Sequence, residues 1–168
     1  MSTEHIHDRQ EAVEKLMRLV KDIDFCIFCT DLASTPIESS PMSTQEVDED
    51  GNCWFLASKD STKYRNIHKD PHVQLFYAAP GDFKYLTVYG RAEALYDRRR
   101  IEKYWNKFVE GWFEKGIDDP NIILLKVNPE EAHYWDTKSN KMIAYAKTLF
   151  SAFTGAKNDE GREGELKV

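Results

Sequence analysis

The sequence predicts a mainly β domain of the α+β type, a six-stranded antiparallel barrel with peripheral helices. Six stretches are alternating, β-branched or aromatic, as strands are, and they cover residues 23–30, 37–47, 52–58, 72–78, 83–95 and 121–136. One helical pattern precedes them, at residues 8–20, and only two separate them, at residues 61–69 and 97–113. With so few helices between the strands, a closed antiparallel barrel removes sheet edges better than an open sheet does.

Length and composition favour a single soluble globular domain. The chain has 168 residues, 41% of them hydrophobic, and a net charge of −6. That charge argues against a nucleic-acid partner, because a phosphate backbone needs a basic surface. No apolar run is long enough to span a bilayer and the N-terminus lacks a signal-peptide pattern, so we expect a cytoplasmic protein without a membrane partner. We assign residues 1–153 to the domain and residues 154–168 to a polar, mobile tail.

The first strand contains the only CxxC pattern, formed by Cys26 and Cys29. Positions three apart in a strand point to opposite faces, so these sulfurs are poorly placed to share a metal. An odd total of three cysteines is also typical of reducing conditions. We therefore predict buried core cysteines and no metal site.

A hairpin and a short helix follow, and the rest of the chain is organised around them. Gly51 ends an Asp-Glu-Asp-Gly turn between two strands, which is a strong hairpin signal. At the end of the second strand, Ser58, Ser61, Thr62 and Lys63 gather around the first turn of the helix, where free N–H groups favour an anion. Two interpretations remain open: a phosphate site, or an N-cap at Asp60 or Ser61 beside a solvated lysine.

Breaks and irregularities mark the second half. Pro71 ends the helix of residues 61–69, because the residue before a proline is pushed out of helical geometry. Gly90 lies inside a strand and predicts a bulge or a close backbone approach. The helix of residues 97–113 carries an aromatic stripe that we attribute to core packing, and residues 142–153 are amphipathic. Pro41 predicts an edge or a bulge in the second strand.

No sequence motif with its own catalytic mechanism is present. The chain lacks GxSxG, P-loop, HExxH and GxGxxG patterns, so the identity of any catalytic residue stays unknown. The residues alone indicate a β-rich domain with one candidate anion site.

Four short motifs resemble one known family. They are Pro41-Met42-Ser43, Trp54-Phe55-Leu56, the Ser58-Lys59-Asp60-Ser61 run with Lys63, and the VYGRAE stretch at residues 88–93. In this order the motifs resemble the general stress protein 26 group of the FMN-binding split-barrel superfamily, which also holds pyridoxamine phosphate oxidase. The likeness extends from residue 11 to residue 135. It implies a split barrel that forms a homodimer with flavin in a groove at the subunit interface.

The resemblance also implies a set of cofactor-binding residues. Pro41, Met42 and Ser43 would face the flavin ring, Leu56 and Ala57 would line its edge, and Ser61, Thr62 and Lys63 would hold the phosphate. The full set is Ser40, Pro41, Met42, Ser43, Leu56, Ala57, Ser58, Ser61, Thr62, Lys63, Tyr85 and Trp135. Relatives often carry arginine where this chain has Ser40, so one charged phosphate contact is missing. Trp135 has an alternative role as a structural tryptophan.

The family further implies a flavin-binding general stress protein. We expect FMN rather than FAD, because the anion site suits a terminal phosphate and no dinucleotide fingerprint exists. The leading interpretation is a flavin-dependent oxidoreductase of unspecified substrate. The alternatives are a non-enzymatic redox or stress protein and a haem-type binding module. True oxidases of pyridoxamine phosphate carry an arginine and a histidine where this chain has Lys141 and Ile143, so we do not expect vitamin B6 oxidation.

Overall fold

The fold is seen in a computed structural model that describes residues 2–6, 9–137 and 161–166, with side chains for residues 9–136. The helices are α1 (Arg9–Ile23), α2 (Thr62–Lys69), α3 (Arg98–Tyr104) and α4 (Lys107–Glu110). The strands are β1 (Ser2–Ile6), β2 (Phe25–Thr30), β3 (Glu38–Ser43), β4 (Glu46–Val47), β5 (Cys53–Ser58), β6 (His72–Ala79), β7 (Lys84–Leu95), β8 (Ile122–Thr137) and β9 (Gly161–Leu166).

The strands form a curled sheet that closes on itself through β3 and β4. The sheet has the order β1-β9-β8-β7-β6-β2-β3, and β5 joins β8 while β4 joins β5. Only Thr44 and Gln45 separate β3, which pairs with β2, from β4, which pairs with β5. The segment of residues 38–47 therefore pairs first with β2 and then with β5, and it connects these two parts of the sheet. This confirms the predicted antiparallel split barrel with peripheral helices.

The strand count differs from the prediction of six. The described residues form nine strands, because the predicted strand of residues 37–47 is interrupted at Thr44 and Gln45, and because β1 and β9 were not predicted. β9 lies within the stretch that we assigned to the polar tail, and it pairs with β8 from Ala132 to Thr137. A ladder uses backbone groups, so a polar segment without an apolar face can still add a strand.

Two hydrophobic clusters hold the barrel. The interior cluster combines α1 side chains such as Leu16 with Phe28, Phe55, Leu75 and Leu125 from the strands. The second cluster lies outside the barrel, where α3 and α4 cover the outer side of β5 and β8. Burying this apolar surface supplies the main driving force for the fold.

All three cysteines are free and buried, as the sequence predicts. Burial raises the pKa of Cys26 to about 12, so its thiol stays protonated near neutral pH. Among the described residues, no group of histidine, cysteine and carboxylate side chains is arranged to hold a metal ion.

The predicted helix of residues 97–113 is wrong as a single helix. Trp105 adopts an extended conformation that ends α3, and the side chain of Asn106 accepts from the Phe108 and Val109 N–H groups to start α4. Asparagine offers the backbone this alternative to a continuous helix. The prediction that the whole aromatic stripe is core is also corrected, since Phe108 and Trp112 are exposed.

Candidate functional site

A groove opens where β3 diverges from β5. β4, which follows β3 after two residues, still pairs with β5 at Glu46 and Trp54, and Gln45 N donates to Trp54 O at 2.8 Å. Beyond Trp54, the second edge of β5 at Leu56–Ser58 pairs with no strand in the part of the chain that the structure describes. The edge of β3 away from β2 is likewise unpaired there. From Trp54 to Ser58 the groove is about 13 Å long, at about 3.3 Å per strand residue. Unpaired backbone groups on both walls can bind a flat polar molecule.

The open end of the groove meets the start of α2. Ser61 is the N-cap: its Oγ accepts from Tyr64 N at 3.3 Å and donates to Ser58 O at 2.6 Å. The capping interpretation is therefore confirmed for Ser61. Because its hydroxyl is already used, an anion here depends on the neighbouring Ser58, Thr62 and Lys63 side chains and on helix N–H groups.

Lys63 is partly buried rather than solvated. Burial lowers its pKa, and the nearby carboxylate of Glu38 opposes this with a smaller effect. Within the described residues, the Lys63 ammonium makes no hydrogen bond or ion pair. A desolvated cation without a close partner is a favourable position for an anionic ligand.

Arg65 is a second cation at the same helix start, and the sequence analysis missed it. Its guanidinium donates to Asp60 O at 2.9 Å and to Thr62 Oγ1 at 3.0 Å, so it folds back over the first turn. The sequence feature that could have identified Arg65 is its position three residues after Thr62, since residues three apart are neighbours on a helix surface.

The predicted ring-facing residues divide between the two faces of their strands. Met42 packs against the interior cluster, whereas Pro41 is exposed and Ser43 donates from Oγ to Asp24 Oδ1 at 3.3 Å. Ser40 lies opposite Phe28 and is partly buried. Alternation along a strand causes this division. A ring in the groove would therefore meet this segment mainly through its backbone.

On the opposite wall, Ala57 belongs to the interior cluster and Leu56 packs against the outer cluster under α3. Ser58 Oγ accepts from Asp60 N at 3.2 Å, which shapes the loop before α2. These three residues lie on the part of β5 whose second edge pairs with no strand among the described residues.

Tyr85 and Trp135 lie elsewhere on the barrel. They are cross-strand neighbours on the outer face of β7 and β8. The order β3-β2-β6-β7-β8 puts Tyr85 three strand spacings from β3 and Trp135 four, about 14 and 19 Å along the sheet. One chain therefore does not bring the predicted site residues together.

Between these two groups runs an exposed apolar surface, which we call the apolar face. It comprises the exposed Phe25, Ile27, Phe76 and Tyr85 and the partly buried Trp135 on the outer side of the sheet. Ile27 lies directly opposite Phe76, so the side chains form a contiguous patch. Contiguous exposed apolar patches of this kind mark interaction surfaces.

Polar pairs border the apolar face. His72 Nδ1 lies 2.5 Å from Asp70 Oδ1, and His133 Nε2 lies 2.8 Å from Glu131 Oε1. An apolar centre with a polar rim is the usual composition of a protein–protein interface.

A cavity of about 340 Å³ lies beyond the closed end of the groove. Its Glu46 carboxylate contacts the Tyr104 hydroxyl and Lys103 Nζ, and these hydrogen bonds lower the pKa of Glu46 although burial acts to raise it. Arg100 stacks 3.9 Å above the Trp54 ring centroid and donates to both Glu46 and Tyr104. These groups satisfy one another, so we assign the cluster to anchoring α3 on β4.

The curled antiparallel sheet and its closure through β3 and β4 define a split-barrel fold. The chain belongs to the pyridoxamine 5'-phosphate oxidase-like family, whose model matches residues 11–159. A comparison with curated proteins gives no match. Lys141 and Ile143, the positions used to argue against vitamin B6 oxidation, lie outside the described residues.

Solved structures share the architecture. The chain is similar to a candidate general stress protein 26 from Jannaschia sp. CCS1, at 20% identity and TM-score 0.75, covering 96% of this chain and 100% of that one. It is similar to general stress protein 26 of Bacillus anthracis str. Sterne, at 24% identity, TM-score 0.63 and coverages of 73% and 92%. It is also similar to the general stress FMN/FAD binding protein of Xanthomonas citri, at 24% identity, TM-score 0.65 and coverages of 77% and 92%. At these identities the likeness establishes the fold.

Among the helices that the structure describes, none is long and apolar enough to cross a membrane.

Proposed function

We propose that this chain is a flavin-binding general stress protein that holds FMN in the groove between β3 and β5. The observation that carries the proposal is Lys63, a partly buried cation with no bonded partner among the described residues, at the open end of that groove. Family membership and the FMN/FAD-binding relative from Xanthomonas citri support it.

The residues fit FMN by their chemistry. The free backbone edges of β3 and β5 offer donors and acceptors to the polar edge of a flat ring. Lys63 and Arg65 offer two positive charges to a terminal phosphate at the start of α2. The carboxylates of Glu38 and Asp60 lie at the same end. They would oppose the phosphates of FMN and FAD alike, so the preference for FMN rests on the missing dinucleotide fingerprint.

We further propose that two copies form a homodimer through the apolar face. Tyr85 and Trp135 lie about 14 and 19 Å along the sheet from β3, so they reach a groove only if it belongs to a second copy. A two-fold axis across the apolar face would bring them there and bury Ile27 and Phe76 as well. The same packing would exclude water from the groove.

The proposed activity is a flavin-dependent oxidoreduction in the cytoplasm. A bound flavin supplies electron and hydride transfer, and the chain supplies position, charge and a dry groove. Consumption of NADH or NADPH with a panel of acceptors tests this step. A protein that binds FMN but is reduced by neither nucleotide would instead be a non-enzymatic redox or stress protein.

Replacing Lys63 with alanine is expected to weaken FMN binding by about 1.5 to 3 kcal/mol, the range for a hydrogen bond to a charged group. Ser40→Arg is expected to tighten binding, because it restores a charged fork on β3. The measurement is the FMN dissociation constant at fixed salt, from quenching of flavin fluorescence.

The matched control is Lys59→Ala, since Lys59 Nζ donates to Pro120 O and serves the loop. It should bind FMN like the wild type. If Lys63→Ala and Ser40→Arg also bind like the wild type, the phosphate does not lie at α2. A strong Soret band in the purified protein would favour the haem-type module instead.

FMN affinity is also expected to fall with rising pH, before the pH at which an ordinary lysine loses its proton. The lowered pKa of Lys63 means that its ammonium is neutralised earlier, and the phosphate then loses its charge partner. Lys63→Arg should bind FMN with a flatter pH dependence, because guanidinium stays protonated. Parallel pH profiles for both proteins would contradict the role of Lys63.

A further inference from the structure

A charged cluster lies at the C-terminal end of α2, away from the groove. Asp70 caps the helix, His72 begins β6, and Arg91 lies directly opposite His72 on β7. Lys63 precedes Asp70 by seven residues, about 10 Å along the helix axis. The cluster is therefore separate from the candidate phosphate site at the start of the same helix.

Asp70 fixes the orientation of the His72 ring. Its Oδ1 accepts from His72 N at 3.1 Å and lies 2.5 Å from His72 Nδ1. Both hydrogen bonds lower the pKa of Asp70, and the backbone bond has the larger effect. An ionised carboxylate only accepts hydrogen bonds, so Nδ1 carries a proton and Nε2 is the ring nitrogen left for another partner. The Tyr89 ring stacks on the imidazole, with centroids 5.9 Å apart and an interplanar angle of 5°.

Arg91 forms no ion pair with a carboxylate among the described residues. Its Nη1 lies 3.4 Å from His72 Nε2, which is the only hydrogen bond of its guanidinium there. Arg98 and Arg100, by contrast, both form ion pairs with carboxylates. Arg91 influences Asp70 only through space. Most N–H groups of an exposed guanidinium are therefore open to a ligand beside the oriented imidazole.

We propose that His72 and Arg91 form a binding site for a phosphate or sulfate group, separate from the flavin groove. Their facing nitrogens are close enough to hold two oxygens of one tetrahedral anion, with Arg91 offering its N–H fork and a protonated His72 offering Nε2–H. Asp70 stabilises the protonated imidazole, because an adjacent opposite charge favours it. A dianion suits the site better than a single carboxylate, since two adjacent cations offset two negative charges.

Anion binding is coupled to proton uptake by His72. In the empty pair Nε2 accepts from Arg91, and it can donate to an anion only after it gains a proton. The charged and titratable groups in hydrogen-bond, ion-pair or ring contact with His72 in the described part of the chain are Asp70, Tyr89 and Arg91. Side chains of these three types ordinarily titrate outside the range of about pH 5 to 8, in which histidine changes its charge. Sulfate does not titrate there, so its affinity should rise as the pH falls from about 8 to 6.

The test is a sulfate titration of the full chain at constant ionic strength, followed by the NMR signals of the histidine rings. The His72 signal, assigned through its loss in His72→Gln, is expected to shift and saturate. His133 is an internal control, because its Nε2 contacts Glu131 and it lies opposite Thr87 rather than an arginine. Its signal should stay in place. Observing the ring also separates this site from sulfate bound near Lys63.

Arg91→Gln is expected to raise the sulfate dissociation constant measured at His72 at least tenfold, as the loss of a charge-assisted contact predicts. Arg91→Lys should fall between the wild type and Arg91→Gln, because lysine keeps the charge without the fork. The matched control is Arg99→Gln, which removes the same charge from an exposed arginine of α3 and should bind sulfate like the wild type. Far-UV circular dichroism checks that each variant is folded.

Several outcomes would overturn the site. A His72 signal that does not saturate, or that moves together with that of His133, would reduce the effect to ionic strength. Wild-type affinity in Arg91→Gln, or equal affinity at the two pH values, would show that the pair serves only to join β6 to β7. Titrations with inorganic phosphate and methyl phosphate identify the source of the anion: tighter binding of the ester supports a phosphomonoester ligand, and tighter binding of phosphate supports a free anion.

Discussion

Replacing Gly90 with alanine is expected to destabilise the folded chain by about 3 kcal/mol, the upper range for overpacking. A Cβ at this position would lie 2.2 Å from Asn128 O and 3.0 Å from Pro129 Cα. These are backbone atoms, so no side chain can rotate away to make room. The pairing of β7 with β8 shifts register between Tyr89 and Gly90, and this bulge confirms the bulge predicted from the glycine.

Urea unfolding monitored by circular dichroism measures the effect as a lower midpoint at an unchanged slope. Gly81→Ala is the matched control, because a Cβ there meets nothing within 4 Å. It should change the free energy of unfolding by less than about 0.5 kcal/mol. Equal stabilities for the two variants would show that the bulge can relax around a side chain.

The same bulge has a functional consequence. Before the bulge, β8 pairs with β5, which forms one wall of the groove. After the bulge, β8 carries Trp135 opposite Tyr85. The bulge thus fixes how the groove and the outer aromatic pair are oriented relative to each other. We expect Gly90→Ala to weaken FMN binding as well as stability.

Local backbone chemistry explains which parts of the fold the sequence predicted. Gly51 has a φ of +86°, so the Asp-Gly turn signal was reliable, and Gln45–Trp54 pairing follows from it. α2 ends at Lys69, and its C-cap Asp70 is extended, as the restriction on the residue before Pro71 requires. In each case a single residue type determines the local backbone conformation, and tertiary contacts do not override this preference.

Other features depend on contacts that no short pattern encodes. The change of partner at Thr44 is tied to a buried hydrogen bond with Tyr77, 33 residues away, between hydroxyls 2.8 Å apart. The break in the helix of residues 97–113 follows from the cap at Asn106, which competes with a helical stripe that looks continuous.

The candidate site was predicted as one set of residues, whereas the structure divides it between two regions of the barrel. The family resemblance placed Ser43 and Tyr85 in one set, but sheet order separates their strands by β2 and β6. The family resemblance could identify the residues without saying which copy supplies them. Lys63 stays a predicted phosphate ligand, and its burial depends on packing near Glu38 that sequence does not show.

Placing a carboxylate at the centre of the apolar face, by Phe76→Asp, is expected to raise the dimer dissociation constant at least 100-fold. Phe76 is 45% exposed and lies opposite Ile27, so it is central to the face but not to the monomer core. An unpaired charge buried in an interface costs several kcal/mol, and 100-fold corresponds to about 2.7 kcal/mol. FMN affinity should fall with dimerisation, because each proposed site uses residues from both copies.

Sedimentation equilibrium and FMN titration at matched protein concentrations measure the two effects together. Tyr96→Asp adds the same charge at an exposed aromatic outside the apolar face, and it should alter neither quantity. The link between dimer and site predicts that FMN affinity of Phe76→Asp recovers at protein concentrations high enough to restore the dimer. A monomeric Phe76→Asp chain that binds FMN like the wild type would show that the groove of one copy is sufficient, and the shared site would have to be abandoned.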